Sequence, residues 1–448
     1  MPVKTKRGVF PANLTPFESY MFVDDSPQFP MTFVFQFDFL GQVDQEAFQT
    51  AVDRALLRHP MLRALIQPAK GDRDCWVLAD DYDSSINFAD FDTPVLIEGA
   101  SEYIDLRNEI GFRGWIRSDS NRTRFIASFH HSAVDGIGGY YFINDVLWYY
   151  AQALGNEVGE LPTYVPQELR GRLRATIGNL RPDGNSLPKF DHYTAQPVLP
   201  HQNRSHLLGA SNEFPQFLSR VFDKHKFREL RLKAQDRGQT LNDCLLESLM
   251  ISMLTWNQQH GGDIDCNDFC ILMPMDLRKP KHPKFSAANL VTSSFIRRSA
   301  SEIQDRAGLT SSLLMETTRL KHQRHESEFM KQLISAPLGW NQTGKPFDEH
   351  LCRTSAIFSN AGDPIKRFPS RFQKTDGMLQ CGNLLLDDIN GASPLRNQTR
   401  VSANAFTYRR QLKIGMRCDP QFFTNEDGQR LLDHFVDTFL ESLDSERS

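Results

Sequence analysis

The stretch His-His-Ser-Ala-Val-Asp-Gly at residues 130–136 decides how this sequence is interpreted. It follows an apolar run at residues 124–129 that predicts a strand, and it leads through a glycine-rich turn at 136–139 into a helix that we expect to begin near Tyr140. Successive strand residues point to opposite faces of a sheet, so only one of the two histidines can face a given cleft. The strand therefore delivers one imidazole to a loop, where it is suited to take a proton near neutral pH.

Three interpretations of this stretch follow from the residues alone. The first is a pair of hydrogen-bonded loop histidines with a purely structural role. The second is a metal site that uses His131 and Asp135, although adjacent histidines do not easily chelate one ion and the spacing of a facial triad is absent. The third is a general base, a role that enzymes give to histidine more often than to any other side chain.

Composition limits the classes of protein to consider. The chain of 448 residues has 51 basic and 55 acidic side chains, a net charge of −4, which indicates neither a nucleic-acid partner nor an anionic membrane. Runs of about 20 apolar residues are absent, so no membrane span is expected. The seven cysteines are odd in number and contain no CxxC pair, which argues against a disulfide framework or a structural zinc. The N-terminus lacks the apolar core of a signal peptide, and these features together predict a cytoplasmic protein without a bound metal.

The hydrophobic pattern predicts strands and helices in alternation along both halves of the chain, which indicates a mixed α/β fold. In the first half, the pattern predicts helices at 13–22, 44–58 and 101–110, and strands at 32–40, 62–66, 75–78 and 124–129. In the second half, it predicts helices at 224–237, 241–258, 302–324 and 426–443. It predicts strands at 217–222, 269–275, 290–296, 354–359, 399–408 and 411–418. The stretch 178–215 is rich in Pro, Asn, Gly and His and has no clean period. We therefore predict two subdomains, 1–177 and 216–448, joined by a linker or crossover at 178–215.

The HHxxxDG pattern resembles the signature of the CoA-dependent acyltransferase superfamily. This superfamily includes chloramphenicol acetyltransferase, alcohol acetyltransferases, wax-ester synthases, plant acyltransferases and the condensation domains of peptide synthetases. Further segments resemble it in the same order along the chain: His-Pro-Met-Leu-Arg at 59–63, Thr-Leu-Asn-Asp at 240–243, Met-Pro-Met-Asp-Leu-Arg at 273–278 and Ser-Asn-Ala-Gly at 359–362. The resemblance spans roughly residues 14–443. The Asp-Phe-Gly-Trp-Gly segment of the plant branch is absent, and no carrier domain is evident. The chain therefore looks like a free-standing member, nearer the alcohol acetyltransferase, wax-ester or condensation-like branches than the plant one.

This resemblance implies two chloramphenicol acetyltransferase-like subdomains, each a mixed sheet with flanking helices, and a tunnel between them. It implies that His131 is the general base that deprotonates a hydroxyl or amine of the acceptor. His130 would point away from the tunnel and serve the scaffold.

The resemblance also assigns supporting roles around His131. Asp135 would hold the catalytic loop by pairing with Arg278 from the other half. Gly136 would let the backbone approach the reacting centre. Asn360 would contact substrate or would only serve as a turn residue, and both possibilities remain open.

The substrates implied by the resemblance are an acyl thioester donor and a small-molecule alcohol or amine acceptor. The donor would be acyl-CoA or an acylated phosphopantetheine carrier, acting as a co-substrate, with no permanently bound cofactor. An acyl-carrier protein is a possible partner, and we expect a monomer. Two alternatives stay open: a stand-alone condensation-type domain that joins carrier-bound substrates by an amide or ester bond, and a non-catalytic binding or scaffold module of the same fold.

Overall fold

The computed structural model describes residues 8–69, 73–95, 102–178, 180, 214, 217–262, 268–278, 285–323, 328–335, 354–396 and 399–444. Its strands are β1 (Ala12–Asn13), β2 (Thr32–Leu40), β3 (Ala64–Ala69), β4 (Arg73–Leu78), β5 (Asn87–Asp90), β6 (Phe112–Ser118), β7 (Arg122–His130), β8 (Leu218–Phe222), β9 (Phe269–Asp276), β10 (Val291–Arg298), β11 (Ala356–Gly362), β12 (Lys374–Thr375), β13 (Met378–Cys381), β14 (Leu384–Ala392), β15 (Val401–Tyr408) and β16 (Gln411–Cys418). Its α-helices are α1 (Pro16–Val23), α2 (Gln45–Arg58), α3 (Gly136–Ala153), α4 (Arg172–Ile177), α5 (Lys224–Asp236), α6 (Leu241–Gln259), α7 (Ala300–Gln304), α8 (Arg306–Gln323), α9 (Glu328–Ser335) and α10 (Asn425–Asp444). None of the helices within these ranges is long and apolar enough to cross a lipid bilayer.

Two large mixed sheets dominate the described part of the chain, and the predicted α/β class is confirmed. A seven-stranded sheet has the order β12-β13-β14-β2-β7-β6-β5, and a six-stranded sheet has the order β10-β9-β11-β15-β16-β8. A small sheet of three strands, β1-β4-β3, lies beside the first. Helices α2 and α3 share one apolar core with the seven-stranded sheet, while α6 and α10 share a second core with the six-stranded sheet.

The elements around the 130–136 stretch form for local reasons. In β2, four phenylalanines alternate with smaller or polar residues, so all four face the same core: Phe33, Phe35, Phe37 and Phe39. Thr15 caps α1 in a reciprocal capping box, because its hydroxyl accepts from the Glu18 amide while the Glu18 carboxylate accepts from the Thr15 amide. Strands β2 and β7 pair with each other in the middle of the seven-stranded sheet.

The seven-stranded sheet takes strands from both halves of the sequence. Strands β12, β13 and β14 come from residues 374–392, yet β14 pairs antiparallel with β2, with Ile389 opposite Phe37 and Gly391 opposite Phe35. The first sheet is therefore completed by the second half of the chain. The division into 1–177, 178–215 and 216–448 stays a prediction, and most of 178–215 lies outside the described residues.

Three predictions about helices were wrong, and local polar groups explain each difference. Residues 102–110 form turns and not a helix, because the Asp105 carboxylate accepts from the Arg107 amide and the Asn108 side chain, bonds that compete with helix formation. The helix predicted at 302–324 is split into α7 and α8 at Asp305, whose carboxylate accepts from the Gly308 amide. Helix α3 begins at Gly136, four residues before the predicted start, because Asp135 is its N-cap.

The glycines at 138 and 139 therefore lie inside α3 and serve close packing, not a turn. A Cβ atom at Gly138 would lie 2.4 Å from Cγ2 of Val134 and 2.9 Å from the carbonyl oxygen of Ala288. We expect Gly138→Ala to destabilise the protein by about 1–3 kcal/mol, the usual range for overpacking a filled site. Gly171→Ala is the matched control, because nothing lies within 4 Å of a Cβ there. Denaturant unfolding of both variants tests this, and equal stabilities would contradict it.

Candidate active site

His131 lies at the end of a central strand of the seven-stranded sheet. β7 ends at His130, and the loop that follows returns directly into α3. The main-chain amide of His131 donates to the carbonyl oxygen of Met31 at 2.7 Å, just before β2. The loop is thus attached to the neighbouring strand at the residue that carries the imidazole.

The two histidines of the stretch face different surroundings. His130 is fully buried, and its Nδ1 accepts from the main-chain amide of Ser132 at 3.1 Å. Its Nε2 lies 3.1 Å from a carboxylate oxygen of Asp25, outside the geometry of a well-aligned hydrogen bond. Within the described residues, these contacts place His130 in the scaffold and away from the cavity.

The imidazole of His131 is held from behind by the protein. The Phe33 ring packs edge-on against it, with ring centroids 5.2 Å apart. Its Nδ1 is buried and has no hydrogen-bond partner in another described residue. Burial lowers the pKa of His131 below its ordinary value, while its own main-chain carbonyl and the charge of Asp135 act in the opposite direction. The imidazole is therefore neutral at neutral pH, as a general base must be.

A cavity of about 290 Å³ opens beside His131 and is lined by residues from both halves of the chain. Its apolar wall contains Phe33, Phe35, Ile137, Tyr140, Ile389 and Phe406. Its polar groups include Asp276, Ser359, Asn360, Arg367, Asn390 and Ser393. The volume is about twice that of a cavity that holds one benzene ring, so the described cavity can accept a small organic group next to the imidazole.

Asp135 and Arg278 meet across the two halves in a two-pronged ion pair. The two guanidinium nitrogens of Arg278 donate to the two carboxylate oxygens of Asp135 at 2.8 and 3.0 Å. The side chains of Asp135 and Arg278 are 4% and 9% exposed. Burial by itself would lower the pKa of Arg278, but the charge of Asp135 outweighs it and raises the pKa, so Arg278 is charged. The same carboxylate caps α3 by accepting from the Gly138 amide at 2.8 Å.

Gly136 and Asn360 both line the cavity. Gly136 is the first residue of α3, and its side-chain position has Phe35 at 3.9 Å as the nearest atom. Asn360 lies in β11, not in a turn after it; its amide donates to the Asn242 side chain at 3.2 Å and its oxygen accepts from Gly362. The structure thus places every predicted site residue except His130 at the wall of one cavity.

Segment 285–290, which precedes β10, is a part of the site that the sequence did not reveal. It is buried along its whole length and contacts the 130–136 stretch at several points. The Leu290 amide donates to Asp135 at 2.7 Å, and the Asn289 side chain donates to the His131 carbonyl oxygen at 2.6 Å. The Ala288 carbonyl accepts from Arg278 at 3.0 Å. The only sequence signal is the run of small residues Ser-Ala-Ala-Asn at 286–289, which permits close approach of two backbones.

His59, which the resemblance marked only as part of a motif, also holds segment 285–290. Its Nδ1 accepts from the Ala287 amide at 2.9 Å, and its Nε2 lies 3.1 Å from the Asp145 carboxylate. Arg58 donates to the same carboxylate at 2.6 Å. Burial raises the pKa of Asp145, but its bonds to His59 and Arg58 lower it below the ordinary value overall. The His-Pro-Met-Leu-Arg run thus links α2, α3 and segment 285–290.

Comparison with known proteins gives structural neighbours. Neither a protein-family model nor a curated protein sequence matches the chain. TRI3 trichothecene 15-O-acetyltransferase from Fusarium sporotrichioides matches with a TM-score of 0.64 over 96% of this chain and 94% of that one, at 10% identity. The starter condensation domain of rhizomide synthetase RzmA, solved as a variant in complex with C8-CoA, matches with a TM-score of 0.60 over 97% and 96%, at 11% identity. The chain shares its fold with this acetyltransferase and with this condensation domain.

A third neighbour of the same fold is the X-domain from teicoplanin biosynthesis, solved in complex with OxyB. It matches with a TM-score of 0.62 over 99% of this chain and 95% of that one, at 12% identity. The predicted architecture of two subdomains of the acyltransferase type is thereby confirmed. At 10–12% identity these likenesses establish the fold, and the chemistry has to be argued from the site itself.

Proposed function

We propose that this protein transfers an acyl group from a thioester to a hydroxyl or amine acceptor, with His131 as the general base. The observation that carries the proposal is the position of a neutral imidazole at the wall of a cavity between the two halves. The loop that bears it is fixed by the buried Asp135–Arg278 pair. The fold adds support, because one neighbour is an acetyltransferase and another was solved with an acyl-CoA.

The reaction balances without a covalent enzyme intermediate. His131 takes the proton of the acceptor O–H or N–H while the oxygen or nitrogen attacks the thioester carbonyl carbon. The tetrahedral intermediate collapses by breaking the C–S bond, and the imidazolium returns the proton to the leaving thiolate. Hydroxyl and amide groups that line the same cavity, among them Ser359 and Asn360, are the candidate donors for the oxyanion.

The remaining site residues act on the loop and the substrates. Asp135 and Arg278 support the loop from behind the imidazole. Gly136 leaves room beside the reacting centre, and Asn360 binds substrate at the wall. Holding donor and acceptor together in one cavity supplies a large part of the rate enhancement. The thioester is acyl-CoA or an acylated carrier, consumed as a co-substrate, and the monomeric state and cytoplasmic location stay predictions.

The proposal is tested by offering the purified protein a panel of acyl-CoAs and acylated carrier proteins with pooled alcohols and amines. We expect acceptor-dependent release of free thiol, matched one for one by an ester or amide detected by mass spectrometry. Each donor without acceptor provides the background rate. Failure of every pair to release thiol above that background would contradict the proposal.

Two alternatives are outcomes of the same experiment. Turnover with acylated carrier protein but not with acyl-CoA would favour a stand-alone condensation-type domain. A non-catalytic scaffold is favoured by the complex of the X-domain with OxyB, since that neighbour of the same fold is seen bound to a protein. Lack of turnover together with stable binding of a protein partner would support the scaffold.

A further inference from the structure

Arg367 is a cation at the rim of the cavity that contains the proposed base. It is the last residue of the short 3₁₀ helix Pro364–Arg367, it is exposed, and it lines the cavity. Its guanidinium makes no hydrogen bond or ion pair with another described residue. The two carboxylates that line the same cavity, Asp135 and Asp276, both contact Arg278 instead. Within the described residues, the cavity therefore presents a positive charge that no carboxylate contacts.

Tyr140 brings a hydroxyl to the same part of the cavity. Its ring is stacked on the Phe35 ring, with centroids 4.3 Å apart, and lies 6.5 Å from the ring of Phe368, the residue after Arg367. Its hydroxyl has no hydrogen-bond partner among the described residues. Burial raises the pKa of Tyr140 above its ordinary value, although the charge of Arg367 acts in the opposite direction, so the hydroxyl stays protonated. A guanidinium beside a phenolic hydroxyl offers the donors that a carboxylate accepts from.

A row of aromatic rings joins this donor pair to the imidazole. The Phe33 ring packs against His131 with centroids 5.2 Å apart, and it packs against Phe35 at the same distance. Phe35 in turn stacks on Tyr140, and all three aromatic residues line the cavity. The base and the cation thus lie at opposite ends of an apolar wall. A molecule bound along this wall would place one end at His131, its apolar body against the rings, and its other end at Arg367.

We propose that Arg367 and Tyr140 bind a carboxylate of the acceptor, and that the acceptor is a hydroxy or amino carboxylic acid whose nucleophile and carboxylate are separated by an apolar spacer. The carboxylate is assigned to the acceptor because the acceptor is the substrate whose O–H or N–H must contact His131. An Arg can hold a carboxylate through two parallel hydrogen bonds, which also fixes the orientation of the bound acid. The assignment to the acceptor rests on the proposed function, whereas binding of the carboxylate needs no turnover.

The first test measures binding without a donor. The probes are para-hydroxyphenylacetate and ω-hydroxyhexanoate, each compared with its primary amide, which has nearly the same shape and no charge. Isothermal titration calorimetry should show that the parent protein binds each acid about 10-fold more tightly than its amide, as expected for charge-assisted hydrogen bonds. Arg367→Gln should remove this preference, and Tyr140→Phe should reduce it by about 3-fold while keeping the stacked ring.

Lys366→Gln is the matched control for the binding test. Lys366 is the neighbouring cation, but it does not line the cavity, and its ammonium lies 3.8 Å from the Asp363 carboxylate. We expect this variant to keep the full preference for the acids. The comparison separates a bound carboxylate from the general effect of a positive charge on this loop.

The second test measures turnover with the donor that gives the highest rate. The acid should have a KM about 10-fold lower than that of its amide, and Arg367→Gln should raise the KM of the acid alone. We expect kcat to change little, because the carboxylate binds away from the reacting atoms and contributes equally to the ground state and the transition state. The ratio of the KM values for acyl-CoA and acylpantetheine should be the same in the parent and in Arg367→Gln, since the phosphates of the donor are not the ligand of Arg367.

The outcomes separate this inference from the proposed function. Equal affinities of the parent for acid and amide, or a preference that survives in Arg367→Gln, would overturn the carboxylate site. So would a preference for a glutaryl over a pentanoyl thioester with none between the acceptors, or a selective loss of affinity for acyl-CoA in Arg367→Gln. A preference for the acids that depends on Arg367, in a protein that releases no thiol from any thioester, would support the carboxylate site and reject acyl transfer.

Discussion

Replacing His131 with Ala is expected to lower kcat/KM for acyl transfer by about 10²–10⁴-fold, the range that a well-placed general base contributes. The fold should survive, because the hydrogen bonds of this residue are made by its main chain. Its amide donates to Met31 and its carbonyl accepts from Asn289, and alanine keeps both. Thiol release with the best donor and acceptor measures the rate, and circular dichroism with a thermal scan measures the fold.

His130→Ala is the matched control, because the adjacent imidazole has the same chemistry but faces the scaffold. Its removal leaves the Asp25 carboxylate without its buried neighbour. We therefore expect His130→Ala to lower stability more than it lowers kcat of the folded protein. A His131→Ala variant that kept the full rate with identified substrates would exclude it as the base.

The parts of the fold that the sequence predicts well are those set by neighbours along the chain. The four phenylalanines of β2 alternate with a period of two, and Thr15 and Glu18, three residues apart, predict the cap of α1. Such signals need only a few consecutive residues to be visible. Strand β7 is also visible from consecutive residues. It ends at His130, directly before His131, the proposed base.

The parts that the sequence does not reveal depend on contacts between distant residues. Strand β14 pairs with β2 more than 340 residues earlier, and nothing in its own pattern indicates to which sheet it belongs. The bonds from Asn289 to His131 and from Ala287 to His59 join segments 158 and 228 residues apart. These contacts are irregular main-chain and side-chain bonds without a period. The resemblance to a family could point to Arg278 as a partner of Asp135, whereas segment 285–290 required the structure.

Asp135→Asn is expected to cost about 3–5 kcal/mol of stability, since removing one partner of a buried ion pair leaves the other charge uncompensated. The amide is the best choice of variant because asparagine also caps a helix, so the bond to Gly138 is preserved in kind. The loss then reports the ion pair together with the bond from the Leu290 amide, and not the start of α3. Arg278 would keep its contacts with Asp276 and with the Ala288 carbonyl.

Asp276→Asn is the control that separates the effect of burying the carboxylate from the effect of removing a charge beside Arg278. Asp276 contacts the same guanidinium at 3.2 Å, but its side chain is 23% exposed, and we expect a loss of about 1 kcal/mol or less. Denaturant unfolding of both variants gives the two losses in free energy of unfolding, provided that the slope of this free energy against denaturant concentration is the same in both. Equal losses would mean that the contact between the halves does not hold the loop. A much larger loss for Asp135→Asn, with the rate of acyl transfer falling in the remaining folded protein, would show that the ion pair supports the loop that presents His131.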